Sequence, residues 1–323
     1  MSITRRLMLA TAATIALAAP AFAQAYPAKP VTVVVPFAPG GTTDIIMRHV
    51  AAKVQDAFGQ PMIVENKGGA GGAIGANFTK NAPADGYSLG VGTVSTTATV
   101  PSIDPKAGYN PTTDFTPIIN MAATPNVIAV HPSFPGKDYK SFIDELKKNP
   151  DKYAYASSGT GGIGHLQTEL FKMAAGVKMT HIPYKGAGPA LNDVVAGQVP
   201  IIFDNMPSAI PHIRAGKLIP IAVAAPERLK DFPNVPTFKE LGMEQVNRPA
   251  YYGVLGPKGL PKDVVDKVNA AVKKTLADPD VKKKIEDTGS IILANSPEEF
   301  AKQIEAEFAT YKKVVTDNNI KPE

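Results

Sequence analysis

"VTVVVPFAPGGTTDIIMRHV", residues Val31 to Val50, decides the reading of the fold. A β-branched run, Val31 to Val35, meets two prolines and two glycines. Thr42 and Thr43 then open a segment that places Ile46, Val50 and Val54 on one helical face. Strand, turn and helix in that order form the repeating unit of α/β proteins. In their parallel sheets, ligands gather outside the carboxyl ends of strands, where loops enter helix N-termini. Gly40 and Gly41 allow close backbone approach, Thr42 or Thr43 can cap the helix or offer a hydroxyl, and the exposed N–H groups suit an anion. A purely structural capped turn is the competing reading, which Asp44 favours by complementing the helix dipole.

The same unit recurs outward from this stretch. "PMIVEN" leads into "NKGGAGGAIGA", with four glycines between Gly68 and Gly72, and then a helix; "YSLGVGT" begins a third unit. Later come "KYAYASSGTGGIGHLQTELFKMAAG", "KMTHIPYKGAGPALNDVVAGQVPIIFDN" and "AIPHIRAGKLIPIAVAA", in which Gly197 and Gly216 read as helix C-terminal glycines. Between the halves, "FTPIINMAATPNVIAVHPSF" is interrupted at Thr124-Pro125 and predicts a crossing, and a return is expected near "MEQVNRPAYYGVLGPKG". Two helices finish the chain. One carries Val265, Val268, Val272 and Leu276 on a face; the other carries Phe300, Ile304 and Phe308, after Ser296 as N-cap, Pro297 at N1 and Glu299 at N3. The pattern therefore predicts a domain of residues 24–123 with 246–323 and a second of residues 124–245.

Residues 1–23 read as a secretory signal, with Arg5 and Arg6, an apolar run from Leu7 to Ala19, and the small-x-small sequence Ala21-Phe22-Ala23 with cleavage after Ala23. That run is shorter than the roughly 20 residues of a membrane span. The chain has 323 residues, no cysteine, no tryptophan and a formal net charge of +5, two units of which lie in the leader at Arg5 and Arg6. The absence of cysteine excludes a disulfide framework and a thiolate metal site. The mild basic excess is spread along the chain, with Lys282-Lys283-Lys284 as its densest cluster, which reads as a solvated helix face rather than a nucleic-acid patch.

Catalytic motifs compete with a binding role. Gly159, Gly161 and Gly164 match the dinucleotide pattern G-x-G-x-x-G after a strand, but the next strand ends at Tyr184-Lys185 without the acidic residue that would hold a ribose hydroxyl. No G-x-S-x-G elbow or P-loop occurs, and His49, His131, His165, His181 and His212 have no close metal-ligand spacing. A serine hydrolase acting on a small ester or amide, using Ser157 or Ser158 with His165 or His181, remains the alternative function. Asp204 ends the apolar "IIF" and reads equally as a cleft residue or a loop brace. Several anion-friendly turns without a catalytic constellation favour a binding protein over an enzyme, with neither cofactor nor metal.

Taken together, the leader, "YPAKPVTVVVPFAPGGTTDIIMRHVA", "GQPMIVENKGGAGGAIGA", "YASSGTGGIGHL", "HIPYKGAGPALNDVVAGQV" and "DNMPSAIPHIRAGKLIPIAVAAPERL" resemble the Bug-type periplasmic solute receptors of tripartite tricarboxylate transporters. The resemblance runs through essentially all of the chain beyond the leader. It implies a two-domain, type II-like periplasmic-binding-protein fold with two interdomain crossings and the ligand in the cleft. It also implies a monomer that captures a dicarboxylate, tricarboxylate or aromatic carboxylate for the membrane components of such a transporter. Carried over by matching motif, the implied ligand contacts are Phe37, Gly41, Thr42, Thr43, Ala70 and Gly71 in the first domain. In the second they are Ser157, Ser158, Gly159, Thr160, Lys185, Gly186 and Asp204.

Overall fold

The computed structural model describes residues 26–321, so the leader read at residues 1–23 lies outside the described residues. The first segment runs β1 (Val31–Val35), α1 (Thr42–Ala51), α2 (Gln55–Phe58), β2 (Met62–Asn66), a short turn at Ala70–Gly72, α3 (Ala73–Lys80) and β3 (Ser88–Thr93). A wide helical turn at Ser95–Thr99 then leads through α4 (Val100–Ile103) to β4 (Phe115–Thr124). The second comprises β5 (Asn126–Val130), α5 (Tyr139–Lys148), β6 (Ala154–Ser157), α6 (Ile163–Ala175), β7 (Thr180–Pro183), α7 (Ala187–Val195), β8 (Ile201–Asn205), α8 (Met206–Arg214) and β9 (Ile219–Ala224). The chain ends with β10 (Ala250–Pro257), α9 (Lys262–Leu276), α10 (Pro279–Glu286), β11 (Ile291–Ile292) and α11 (Pro297–Asp317).

These strands form two mixed sheets, ordered β11-β4-β10-β3-β1-β2 and β7-β6-β8-β5-β9. In the first, β1 runs parallel to β2 and β3, while β10 is antiparallel to β3 and β4. In the second, β6 is parallel to β7 and β8, and β5 is antiparallel to β8 and β9. Only Pro125 separates β4 of one sheet from β5 of the other; having no N–H to give a ladder, it suits the point where the chain changes sheets. The chain returns between Ala224 and Ala250.

The opening run behaves as a central parallel strand, apolar on both faces. Val31, Val33 and Val35 join the core built on Ile46, Met47 and Val50 of α1, and Val34 is buried on the other face. Fully burying a valine contributes about 1.5–3 kcal/mol, so this strand anchors the turn that follows it. At the C-terminus, Val265, Val268, Val272 and Leu276 are buried as their spacing predicts, and α11 starts with the Ser296–Glu299 capping box. Its apolar stripe differs slightly from the expectation. Phe308 is half-buried, and the buried face continues from Phe300 and Ile304 through Tyr311 and Val315, following the drift of a 3.6-residue period.

Candidate functional site

The Gly-Gly-Thr-Thr turn stands at the end of β1, and its shape is set by a carboxylate. Asp44 accepts from the Gly40 amide at 3.1 Å, from Arg48 Nε at 2.9 Å and from Asn66 Nδ2 at 2.9 Å. Burial alone would raise the Asp44 carboxyl, but the bonds from Arg48, Asn66 and Gly40 outweigh it and hold the group below the usual carboxylate range. The expected threonine cap is not formed: Gly41 is the N-cap of α1, without a side-chain bond, and Thr42 is already the first helical residue.

Thr42 reaches the other sheet instead. Its Oγ1 lies 2.8 Å from Ser208 Oγ in α8 and accepts from the Ser208 amide at 3.2 Å, while Ser208 Oγ donates to Asp204 Oδ2 at 2.7 Å. Desolvation pushes the Asp204 carboxyl up to about 6, against the bonds from Ser208 and the Asn205 backbone. Further bonds tie the two sheets' turns together: the Ala38 amide donates to Lys185 O at 3.0 Å, Thr99 Oγ1 to Gly161 O at 2.7 Å, and the Ile163 amide to Ser95 Oγ at 3.0 Å. The approach is too close for side chains at the glycines. A Cβ on Gly71 would fall 2.4 Å from Thr160 O, and one on Gly186 2.7 Å from the Ala38 amide nitrogen.

These contacts frame a cavity between the two sheets. Its walls carry the hydroxyl side chains Thr42, Thr43, Thr93, Ser95, Ser158 and Tyr252 and the amide of Asn205, with Phe37, Gly41, Val94, Ile163, Ala187 and Ala250 completing the lining. No lysine, arginine, aspartate or glutamate is among them. Burial pushes the Tyr252 phenol well above its ordinary value, so it enters as a neutral donor. Thr43, Ile163 and Ala187 lie in the first turns of α1, α6 and α7, and Asn205 is the N-cap of α8. Four helix N-termini thus meet at one cavity walled by uncharged side chains, an arrangement whose partial positive charges favour an anion.

Of the residues expected from sequence, Phe37, Gly41, Thr42, Thr43 and Ser158 line this cavity. Ala70 is exposed, and Gly71, Gly159, Thr160, Lys185 and Gly186 form the backbone seam where the two sides meet, outside the lining. Asp204 turns to Ser208, and Ser157 is fully buried with its hydroxyl 2.6 Å from His181 Nε2. The Ser–His contact of the hydrolase alternative therefore exists, but sealed from the cavity, where no carbonyl can reach the serine. Sequence reading missed Thr93, Val94, Ser95, Ile163, Ala187, Asn205, Ala250 and Tyr252. For Ser95 a signal was present, a hydroxyl-rich helical turn directly after β3; for Tyr252, inside the apolar run of β10, there was none.

The family model described as the tripartite tricarboxylate transporter family receptor matches residues 46–320. The solved periplasmic binding protein BugD is 34% identical, with a TM-score of 0.89 over 92% of this chain and 99% of that one. Rpa4515 of Rhodopseudomonas palustris, solved with adipate, is 35% identical, with a TM-score of 0.87 over 92% of this chain and 100% of that one. MatC from the same organism, with bound malate, is 34% identical, with a TM-score of 0.86 over 90% of this chain and 100% of that one.

Proposed function

The chain belongs to the tripartite tricarboxylate transporter receptor family, in its Bug-type branch, and on that premise we propose that it is a receptor that closes on a small dicarboxylate. The observation that carries the reading is the convergence of four helix N-termini on a cavity walled by hydroxyls and amides and lacking any charged side chain. A carboxylate leaving water needs several donors at once, and each charge-assisted hydrogen bond from a preset donor contributes roughly 1.5–3 kcal/mol. Micromolar affinity requires about 8 kcal/mol, within reach of three to five such bonds shared between the two sides. The adipate of Rpa4515 and the malate of MatC support a short diacid as the cargo.

In this reading the units divide at residues 124 and 246, each moving as a lobe about the crossings at Pro125 and before Ala250. The protein works in the periplasm as a monomer after loss of the leader, and hands its cargo to the membrane components of a tripartite transporter. Among the described residues, no helix is long and apolar enough to cross a membrane. The complete burial of Ser157 supports a receptor over a hydrolase.

Thermal melting against malate, adipate and their dimethyl esters tests the proposal. A diacid at 100 times its dissociation constant should stabilise the fold by about 2.7 kcal/mol, and its ester should not. Equal stabilisation by acid and ester, or by neither, defeats the carboxylate reading.

A further inference from the structure

Two histidines stand behind the second-lobe turn, outside the cavity. The rings of His165, at the start of α6, and His181, on β7, stack with centroids 4.2 Å apart and planes 6° from parallel. Each braces one part of the same turn. His165 Nδ1 accepts the Gly161 amide at 3.1 Å; His181 Nε2 lies 2.6 Å from Ser157 Oγ, which accepts the Gly159 amide at 3.2 Å. Gly161 is also the residue held from the first lobe, through Thr99 Oγ1 on its carbonyl.

We propose that His165 is a positioning residue for ligand capture, and that its unprotonated Nδ1 fixes Gly161 where Thr99 grips it on closure. This rests on the carboxylate-receptor reading. The role requires a bare Nδ1. A protonated His165 turns a donor toward the Gly161 N–H and loses the bond.

Charged and titratable side chains stand beside the pair on α6 and β6. Glu169 and Lys172 follow His165 on α6 and pair with each other; Tyr155 on β6 stacks on His181 and donates to Glu169 at 2.9 Å. The Ser95–Thr99 turn brings hydroxyls and no charge. On β8, Asp204 alternates with Phe203 and lies on the opposite face, bonded to Ser208.

The experiment measures adipate and malate affinity from pH 8 to 5 for the wild type, His165→Phe and His165→Gln, beside nuclear magnetic resonance titration of the imidazoles and of the Gly161 amide. In the wild type, affinity should fall together with the Gly161 amide shift as the His165 imidazole takes up its proton. His165→Phe keeps a ring in the stack but no acceptor, and should bind about tenfold more weakly at pH 8. His165→Gln retains an acceptor oxygen and should recover most of that loss without the acid step; the ligands' own protonation is common to all three proteins. Wild-type affinity in His165→Phe, or the same pH profile in wild type and His165→Gln, overturns the proposal. If neither diacid binds even the wild type, the carboxylate reading fails; the positioning role is then judged by Gly161 alone. Its amide must shift with protonation of the His165 imidazole and lose hydrogen-exchange protection in His165→Phe, and an unchanged amide overturns the role.

Discussion

The hydroxyl of Thr42, at the start of α1, lies 2.8 Å from that of Ser208 in α8, and the Ser208 amide donates back to it at 3.2 Å. Because Ser208 gives its own proton to Asp204, Thr42 must donate to Ser208, and its hydroxyl is spent on the contact between lobes. Thr43, beside it, also stands in the cavity wall. In the receptor reading proposed above, Thr42 serves closure and Thr43 meets the ligand.

Substituting each threonine by valine distinguishes these roles. Thr43→Val should weaken diacid binding by roughly 1.5–3 kcal/mol, and Thr42→Val, which loses a neutral hydrogen bond assigned by the proposal to closure, by about 0.5–1.5 kcal/mol. Calorimetric titration reads both. Undiminished affinity in Thr43→Val would remove Thr43 from the site.

The Asp44 brace makes a pH prediction with a definite sign. Its folded carboxyl is depressed, so its stabilisation is present above the unfolded value, about 3.9, and is lost as pH falls through the folded one. Asp44→Ala should cost about 1–3 kcal/mol near neutrality, with the difference from wild type shrinking in strong acid. Urea melts across pH 7 to 2 measure it, and a difference independent of pH would refute the brace.

Asp204 predicts the opposite slope. With its carboxyl raised to about 6, its proton-linked stabilisation is complete below the unfolded value and fades as pH rises through 6. Relative to Asp204→Asn, whose amide does not titrate, the wild type should lose stability on the order of 3 kcal/mol between pH 4 and 7. Parallel stability curves for the two proteins would show that Asp204 does not titrate in this window.

The Gly71 seam predicts the effect of blocking closure. A β-carbon there meets Thr160 O at 2.4 Å and Gly162 N at 3.0 Å, and the residue sits at φ +61. Gly71→Val should keep the lobes apart, lowering diacid affinity at least about tenfold and abolishing ligand-induced compaction in X-ray scattering. Compaction equal to wild type would show that the seam yields.

What the sequence determined by itself is what neighbours along the chain decide. The β-branched run Val31 to Val35, the glycines that end α7 and α8, the Ser296 capping box and the strand-turn-helix order act within a few residues, so period and composition make them legible. The Gly-rich turns announced a close backbone approach for the same reason. Which atoms they approach was a tertiary decision. Thr42 and Ser208 stand 166 residues apart, and Tyr252 enters the cavity from a strand buried along its whole length. Ser157 and Ser158 are adjacent and alike, yet one is sealed behind His181 and the other lines the cavity. Loops at strand ends have no period to reveal their facing. Only the packing of two sheets, joined through Pro125 and the return before Ala250, fixes which hydroxyls bond from one sheet's turns to the other's and which line the cavity.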